Sequence, residues 1–145
     1  MTIMADVLLV FWSGTGNTEI MAEKIKEGLE KSGLSVEYKN VNQASPSDVS
    51  SYDKIVFGCP SMGVENLEED EFEPFFDQVE RSLTNKKIAL FGSYGWGEGE
   101  WMDAWETRVI DAGATLYDKG FKVNSTPSSD EEVACIEFGE AFAQF

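Results

Sequence analysis

Three stretches of the chain are apolar at every position: Val7-Leu8-Leu9-Val10-Phe11, Ile55-Val56-Phe57 and Ile88-Ala89-Leu90-Phe91. Uninterrupted runs of this length suit strands covered on both faces, as at the centre of a parallel sheet. Val36 and Tyr38 instead alternate with Glu37 and Lys39, the pattern of a half-exposed edge strand. A fifth strand is expected from Ala114 to Val123, broken by Asp118-Lys119-Gly120, at the other edge.

Between the strands, apolar residues recur at helical spacing: Met21, Ile25, Leu29; Phe72, Phe75, Phe76, Val79, Leu83; Trp101, Trp105, Val109, Ala112; Ala134, Phe138, Ala141, Phe142, Phe145. Each set predicts a helix packing one face on the sheet. Gly33 and Gly113 stand where helix C-caps belong, and Ser45-Pro46-Ser47-Asp48 predicts a turn into a short extra helix. Strict alternation of strand and helix, with no repeat, linker or low-complexity tract, predicts one doubly wound α/β domain over residues 1–145. An order of 2-1-3-4-5 leaves the second strand at the edge, where its polar alternation belongs. A six-stranded dinucleotide-binding order would bury it.

Composition narrows the chemistry. The 145 residues include no histidine, which removes Ser-His-Asp triads, Cys-His pairs and His-ligated metals together. Chemistry must come from a cofactor or from carboxylates, and neither a catalytic residue nor a metal site is expected. Cys59 and Cys135 form no CxxC and are too few for a secreted disulfide framework, so both read as reduced thiols. No apolar run approaches the ~18–20 residues of a membrane span, and the N-terminus has no basic residue before Lys24. A cytoplasmic, monomeric protein is expected. Eleven basic against 27 acidic residues give a net charge of −16, which opposes nucleic acid and anionic membranes and favours a basic protein partner.

At the end of the first strand, on the carboxyl edge where such sheets bind ligands, comes Ser13-Gly14-Thr15-Gly16-Asn17-Thr18. Two glycines allow a tight loop with converging N–H groups; Ser13, Thr15, Asn17 and Thr18 add side-chain donors, and the following helix adds partial positive charge. An asparagine cap after a glycine turn would explain Gly16 to Thr18, but not four hydroxyl or amide side chains in six residues. A Walker A loop needs Gly-Lys-Ser/Thr, and a dinucleotide fingerprint needs a third Gly or Ala; neither is present. Without Lys or Arg, the loop suits a monophosphate held by neutral donors.

This loop resembles the phosphate loop of flavodoxins, and Met62-Gly63-Val64-Glu65 and Gly92-Ser93-Tyr94-Gly95-Trp96-Gly97 are similar to that family's two flavin-flanking loops. The resemblance covers the whole chain. Lacking a long insertion in the fifth strand, the chain is similar to the short-chain, clostridial-type branch. The resemblance implies a bound FMN and a low-potential one-electron carrier, cycling between semiquinone and hydroquinone, that serves redox partner proteins. By the same resemblance Trp96 stacks on the flavin between Gly95 and Gly97, whereas spacing alone also allows a core aromatic. Met62 would pack the other face. The Gly63 carbonyl would turn toward flavin N5, and Glu65 would accept from N3. Val64 is β-branched, so any positive φ in that turn must fall on Gly63. Ser61, Ser93 and Tyr94 complete the expected cofactor-binding set.

From Glu65 to Glu80 there are eight acidic residues and no basic one, and Glu98, Glu100, Asp103 and Glu106 follow the other loop. Two unit charges ~10 Å apart at an effective dielectric near ~20 repel by about 1.7 kcal/mol, so such a rim disfavours a second electron on the flavin. It also steers a cationic partner. A competing reading is an FMN-dependent quinone or nitro-compound reductase, which needs a substrate pocket for which no segment is left over. A phosphoacceptor receiver needs acidic residues where Ser13-Gly14 and Cys59-Pro60 stand, and that reading fails.

Overall fold

The computed structural model describes residues 5–62, 66–95 and 97–145. β1 (Val7–Phe11), β2 (Val36–Asn40), β3 (Lys54–Gly58) and β4 (Lys87–Tyr94) lie parallel in the order β2-β1-β3-β4. Beyond β4 the fifth strand is two pieces, β5 (Thr115–Leu116) and β6 (Phe121–Asn124), both parallel to β4. The expected order is therefore present, and the break at residues 118–120 is real. Asp118 adopts φ 50 and so leaves the extended conformation, while the Gly120 N–H turns to the Glu106 carboxylate at 2.6 Å.

The all-apolar runs alternate between two cores. Leu8, Val10, Ile55, Phe57, Ile88 and Leu90 face the layer of α3 (Phe72–Val79) and α4 (Glu100–Asp111). Val7, Leu9, Phe11, Val56, Ala89 and Phe91 face α1 (Asn17–Lys31) and α5 (Ser129–Ala143). In the first layer Phe57, Phe72, Phe76 and Trp105 pack largely edge to face, contacts worth about 0.5–1.5 kcal/mol each beyond area burial. β2 is half-exposed throughout, as its alternation predicts.

α2 (Pro46–Ser50) is the short helix expected after Ser45, closed by a capping box with Asp48. Gly33 and Gly113 both follow helix ends with positive φ, at 90° and 88°. α3 is shorter than its apolar pattern suggests. It stops at Val79 and passes through a 3-10 turn over Glu80–Ser82 before Leu83 is buried.

α5 departs from expectation in its face. Ala141 is exposed and Ala134 only half-buried, while Cys135 and Gly139 take the inward positions with Phe138 and Phe142. The cause is a close helix crossing: a Cβ on Gly28 would stand 2.0 Å from the Ile136 carbonyl oxygen, and one on Gly139 would stand 2.3 Å from that of Ile25. The C-terminal half of α1 is thereby fixed against α5. No helix among the described residues is long and apolar enough to cross a membrane.

Candidate functional site

The carboxyl ends of β1, β3, β4 and β6 meet around one cavity of about 230 Å³. Its lining contains Ser13, Gly14, Thr15, Asn17 and Thr18 from the first loop, Ser61 and Met62 from the third strand's loop, and Ser93 and Tyr94 at the end of β4 with Gly95 just beyond. Three segments far apart in sequence, from Ser13 to Gly95, are thus brought together around one cavity. Gly16 and Gly97 stand in these loops without lining the cavity. Gly63, Val64, Glu65 and Trp96, with the roles expected of them, lie outside the described residues.

Within the first loop, Gly16 at φ 99 turns the chain into α1. The Ser13 hydroxyl oxygen accepts from the N–H groups of Gly16 at 3.1 Å and Glu19 at 3.3 Å, which leaves its proton free to donate. The N–H groups of Thr15, Asn17 and Thr18 find no acceptor among the described residues. Those of Asn17 and Thr18 are among the unpaired donors at the start of a helix, which carries partial positive charge. The Asn17 carboxamide oxygen accepts from the Thr126 hydroxyl at 3.0 Å, leaving its amide protons available.

Thr18 is 1% exposed and Ser93 5%, and their hydroxyls lie 3.0 Å apart. One of the two hydroxyl protons is used between them, and the other remains for a ligand. Ser61 is held through its backbone, its N–H donating to the Ser93 carbonyl at 3.0 Å. Met62 pairs with Asn66 in an antiparallel bridge and is 40% exposed as a residue at the cavity rim. Gly92, Ser93 and Tyr94, expected in a loop, are the last residues of β4, because β6 pairs with them and extends the ladder. The loop itself begins at Gly95.

Trp12, Pro60 and Ser125 also line the cavity, and none was singled out from sequence. Trp12 abuts the phosphate loop directly, and Ser125 follows the fifth strand on the same edge, so their places in the topology were the available signals. Ser125 holds φ 61, and its N–H donates to the Tyr94 carbonyl at 2.8 Å.

The acidic stretch is less free than its composition suggests. Glu68, 4% exposed, accepts from the N–H groups of Asp70, Glu71 and Phe72 at the entrance to α3. Glu71 accepts from the Trp12 indole N–H. Arg108 of α4 binds Glu73 at 2.7 Å and Glu80 at 2.6 Å, a cation supplied from outside the stretch. Glu69, Asp70 and Glu98 are exposed, and their carboxylates have no hydrogen-bond or ion-pair partner among the described residues. A larger depression of about 680 Å³ lies between Asp77, Arg81, Thr84 and Asp111, at the C-terminal ends of α3 and α4. Helix carbonyl ends disfavour anions there, and the glycine loop is at the opposite edge of the sheet.

A doubly wound parallel sheet with a glycine loop between its first strand and first helix is the frame of the mononucleotide-binding α/β proteins. The sequence matches the family model described as Flavodoxin over residues 9–139. It is 48% identical over 138 residues to a flavodoxin of Megasphaera elsdenii, covering 95% of this chain and 98% of that protein. It is 44% identical over 135 residues to a flavodoxin of Clostridium beijerinckii, covering 93% and 97%. The solution structure of two-electron reduced Megasphaera elsdenii flavodoxin superposes with a TM-score of 0.86 at 47% identity, over 96% of this chain and 99% of that one. Oxidised Flavodoxin 1 from Bacillus cereus gives 0.86 at 30% identity, over 95% and 97%. The chain belongs to the flavodoxin family, in its short-chain, clostridial-type branch.

Proposed function

We propose that the cavity at the carboxyl edge is where this electron carrier of the flavodoxin family holds its FMN, with the phosphate in the Ser13–Thr18 loop. FMN is the family's cofactor, and the chain is an electron carrier and not an enzyme. The observation that carries the placement is the convergence on one cavity of unpartnered N–H groups from Thr15, Asn17 and Thr18 with hydroxyls from Ser13, Thr15 and the Thr18–Ser93 pair. Neutral donors at a helix N-terminus suit a phosphate monoester dianion without demanding a lysine.

When bound, FMN supplies one-electron redox chemistry; the protein supplies binding and electrostatics. Met62, Tyr94 and Gly95 form the apolar walls beyond the phosphate loop, and we assign the planar ring to the space between them. Ser61, Gly63, Val64, Glu65, Trp96 and Gly97 complete the proposed contact set on the strength of family membership. Ser61 is placed by its backbone bond to Ser93, which sets the spacing of the two ring-flanking loops.

We further propose a single FMN-binding domain over residues 1–145, a cytoplasmic setting, a monomer, and partners with basic surfaces. Cys59 and Cys135 are both buried and unpaired, the state that a reducing compartment maintains. Exposed Glu69, Asp70 and Glu98 near the ring-flanking loops support cationic partners. Neither the fold nor the relatives favour the reductase alternative.

Titrating the apoprotein with FMN and following loss of flavin fluorescence tests the reading. One equivalent should bind tightly, and riboflavin, which lacks the phosphate, should bind much more weakly. Absence of FMN binding would overturn it.

A further inference from the structure

Trp12 stands between the phosphate loop and the entrance to α3 and touches both. The ring edge of the indole lies so close to Gly14 that a Cβ there would stand 2.8 Å from Trp12 Cη2 and 3.2 Å from Cζ3. On its other side the indole N–H donates to Glu71 Oε1 at 3.1 Å. The Glu71 backbone is in turn fixed, because its N–H donates to both carboxylate oxygens of buried Glu68, at 3.2 and 2.9 Å. Glu68, Glu71, Trp12 and Gly14 therefore form a continuous chain of contacts from the acidic turn to the phosphate loop.

We propose that Glu71 is a positioning residue for the cofactor phosphate, acting through Trp12 to set the Gly14–Thr18 segment. The proposal rests on the assignment of the phosphate to this loop. The N–H groups of Thr15, Asn17 and Thr18 must point at one small anion together, so they tolerate little displacement of the backbone that carries them. Gly14 has no side chain of its own to fix it; the indole is its wall. An indole that loses its acceptor is free to turn about its side-chain torsions, and the wall moves with it. Glu71 bears on the acceptor role alone: its charge is of the wrong sign to attract a phosphate, so its contribution is geometric.

The consequence is selective. Riboflavin presents the same ring and ribityl chain but no phosphate, so a displaced loop weakens FMN and leaves riboflavin nearly unaffected. The test is binding of FMN and of riboflavin to apoprotein, by fluorescence quenching, for wild type and Glu71→Ala, Glu71→Gln, Trp12→Phe and Glu71→Ala/Trp12→Phe. Loss of one exposed hydrogen bond to a charged acceptor corresponds to about three- to tenfold weaker FMN binding in Glu71→Ala. Riboflavin binding should change by less than about twofold. Glu71→Gln, which keeps an acceptor, should restore FMN affinity, and the double variant should be no weaker than Trp12→Phe alone.

A second pair addresses the Gly14 wall. Gly14→Ala should weaken FMN strongly in wild type and much less beside Trp12→Phe, where the atom that the new methyl strikes is gone. Equal losses of FMN and riboflavin in Glu71→Ala would overturn the proposal, as would Glu71→Gln behaving like Glu71→Ala. A wild-type protein that binds FMN no better than riboflavin would overturn the phosphate-loop assignment itself. An intact FMN preference in both wild type and Glu71→Ala would overturn only the role given to Glu71.

Discussion

The hydroxyls of Thr18 and Ser93 meet at 3.0 Å across 75 residues of sequence, and the Ser93 N–H turns to the same threonine oxygen at 3.4 Å. This contact joins the helix that begins in the phosphate loop to the strand that leads into the Gly95 loop, so the phosphate and ring ends of the site are fixed to one another.

Thr18→Val keeps the shape and removes the hydroxyl, stranding a buried serine. It should cost about 1–2 kcal/mol of stability, read by chemical denaturation, and weaken FMN binding by about tenfold. Adding Ser93→Ala should cost less than the sum of the single changes, because the second partner is then no longer left unpaired. Strict additivity would show that the two hydroxyls do not act on each other.

Gly28 and Gly139 let α1 and α5 cross with backbone against backbone. Gly139→Ala must push the helices apart or distort them and should cost about 2–3 kcal/mol. For a chain of this size that lowers the melting temperature by roughly 5–10 °C, while the visible spectrum of bound flavin stays the same. An unchanged melting temperature would mean that the two helices have room for a methyl group at their crossing.

Acid stability should depend on Glu37. The Tyr52 hydroxyl donates to its carboxylate and Lys39 pairs with it at 2.9 Å, which together hold its pKa below the ordinary 4.5 against the opposing effect of burial. A carboxylate whose pKa is lower in the folded state adds stability above its unfolded pKa and loses it as pH falls through the folded value. Glu37→Gln should therefore be less stable than wild type at neutral pH, with the gap closing as pH drops below 4.5. A gap that stays constant across that range would remove the linkage.

Electron transfer to a cationic partner should slow as salt is added, since exposed Glu69, Asp70 and Glu98 act through a screened field. Charge reversal at any one of them should lower the low-salt rate by about severalfold. Glu73→Gln should act differently, because that carboxylate is committed to Arg108, and its main effect should be on stability. A transfer rate indifferent to ionic strength would contradict steering.

The central strands were legible because parallel strands covered on both faces must be apolar along their buried length, as β1, Ile55 to Phe57 of β3 and Ile88 to Phe91 of β4 are. The phosphate loop was legible because its chemistry is local: glycines, hydroxyls and a helix start within six residues. What was hidden depends on tertiary partners. Nothing near Glu73 in sequence announces Arg108, which arrives from α4. The inward turn of Cys135 and Gly139 follows from a crossing with α1 that the apolar spacing of α5 does not record. The extension of β4 through Tyr94 depends on β6 pairing alongside, and the hydrogen bond that ties Trp12 to Glu71 spans 59 residues of sequence.

The most direct test of the account is a reductive titration of the FMN-loaded protein under anaerobic conditions, followed by visible absorbance. A carrier that holds FMN in this acid-rimmed site and passes electrons singly should take them up in two resolved one-electron steps, the second at clearly lower potential. Uptake of both electrons in a single unresolved step would contradict it.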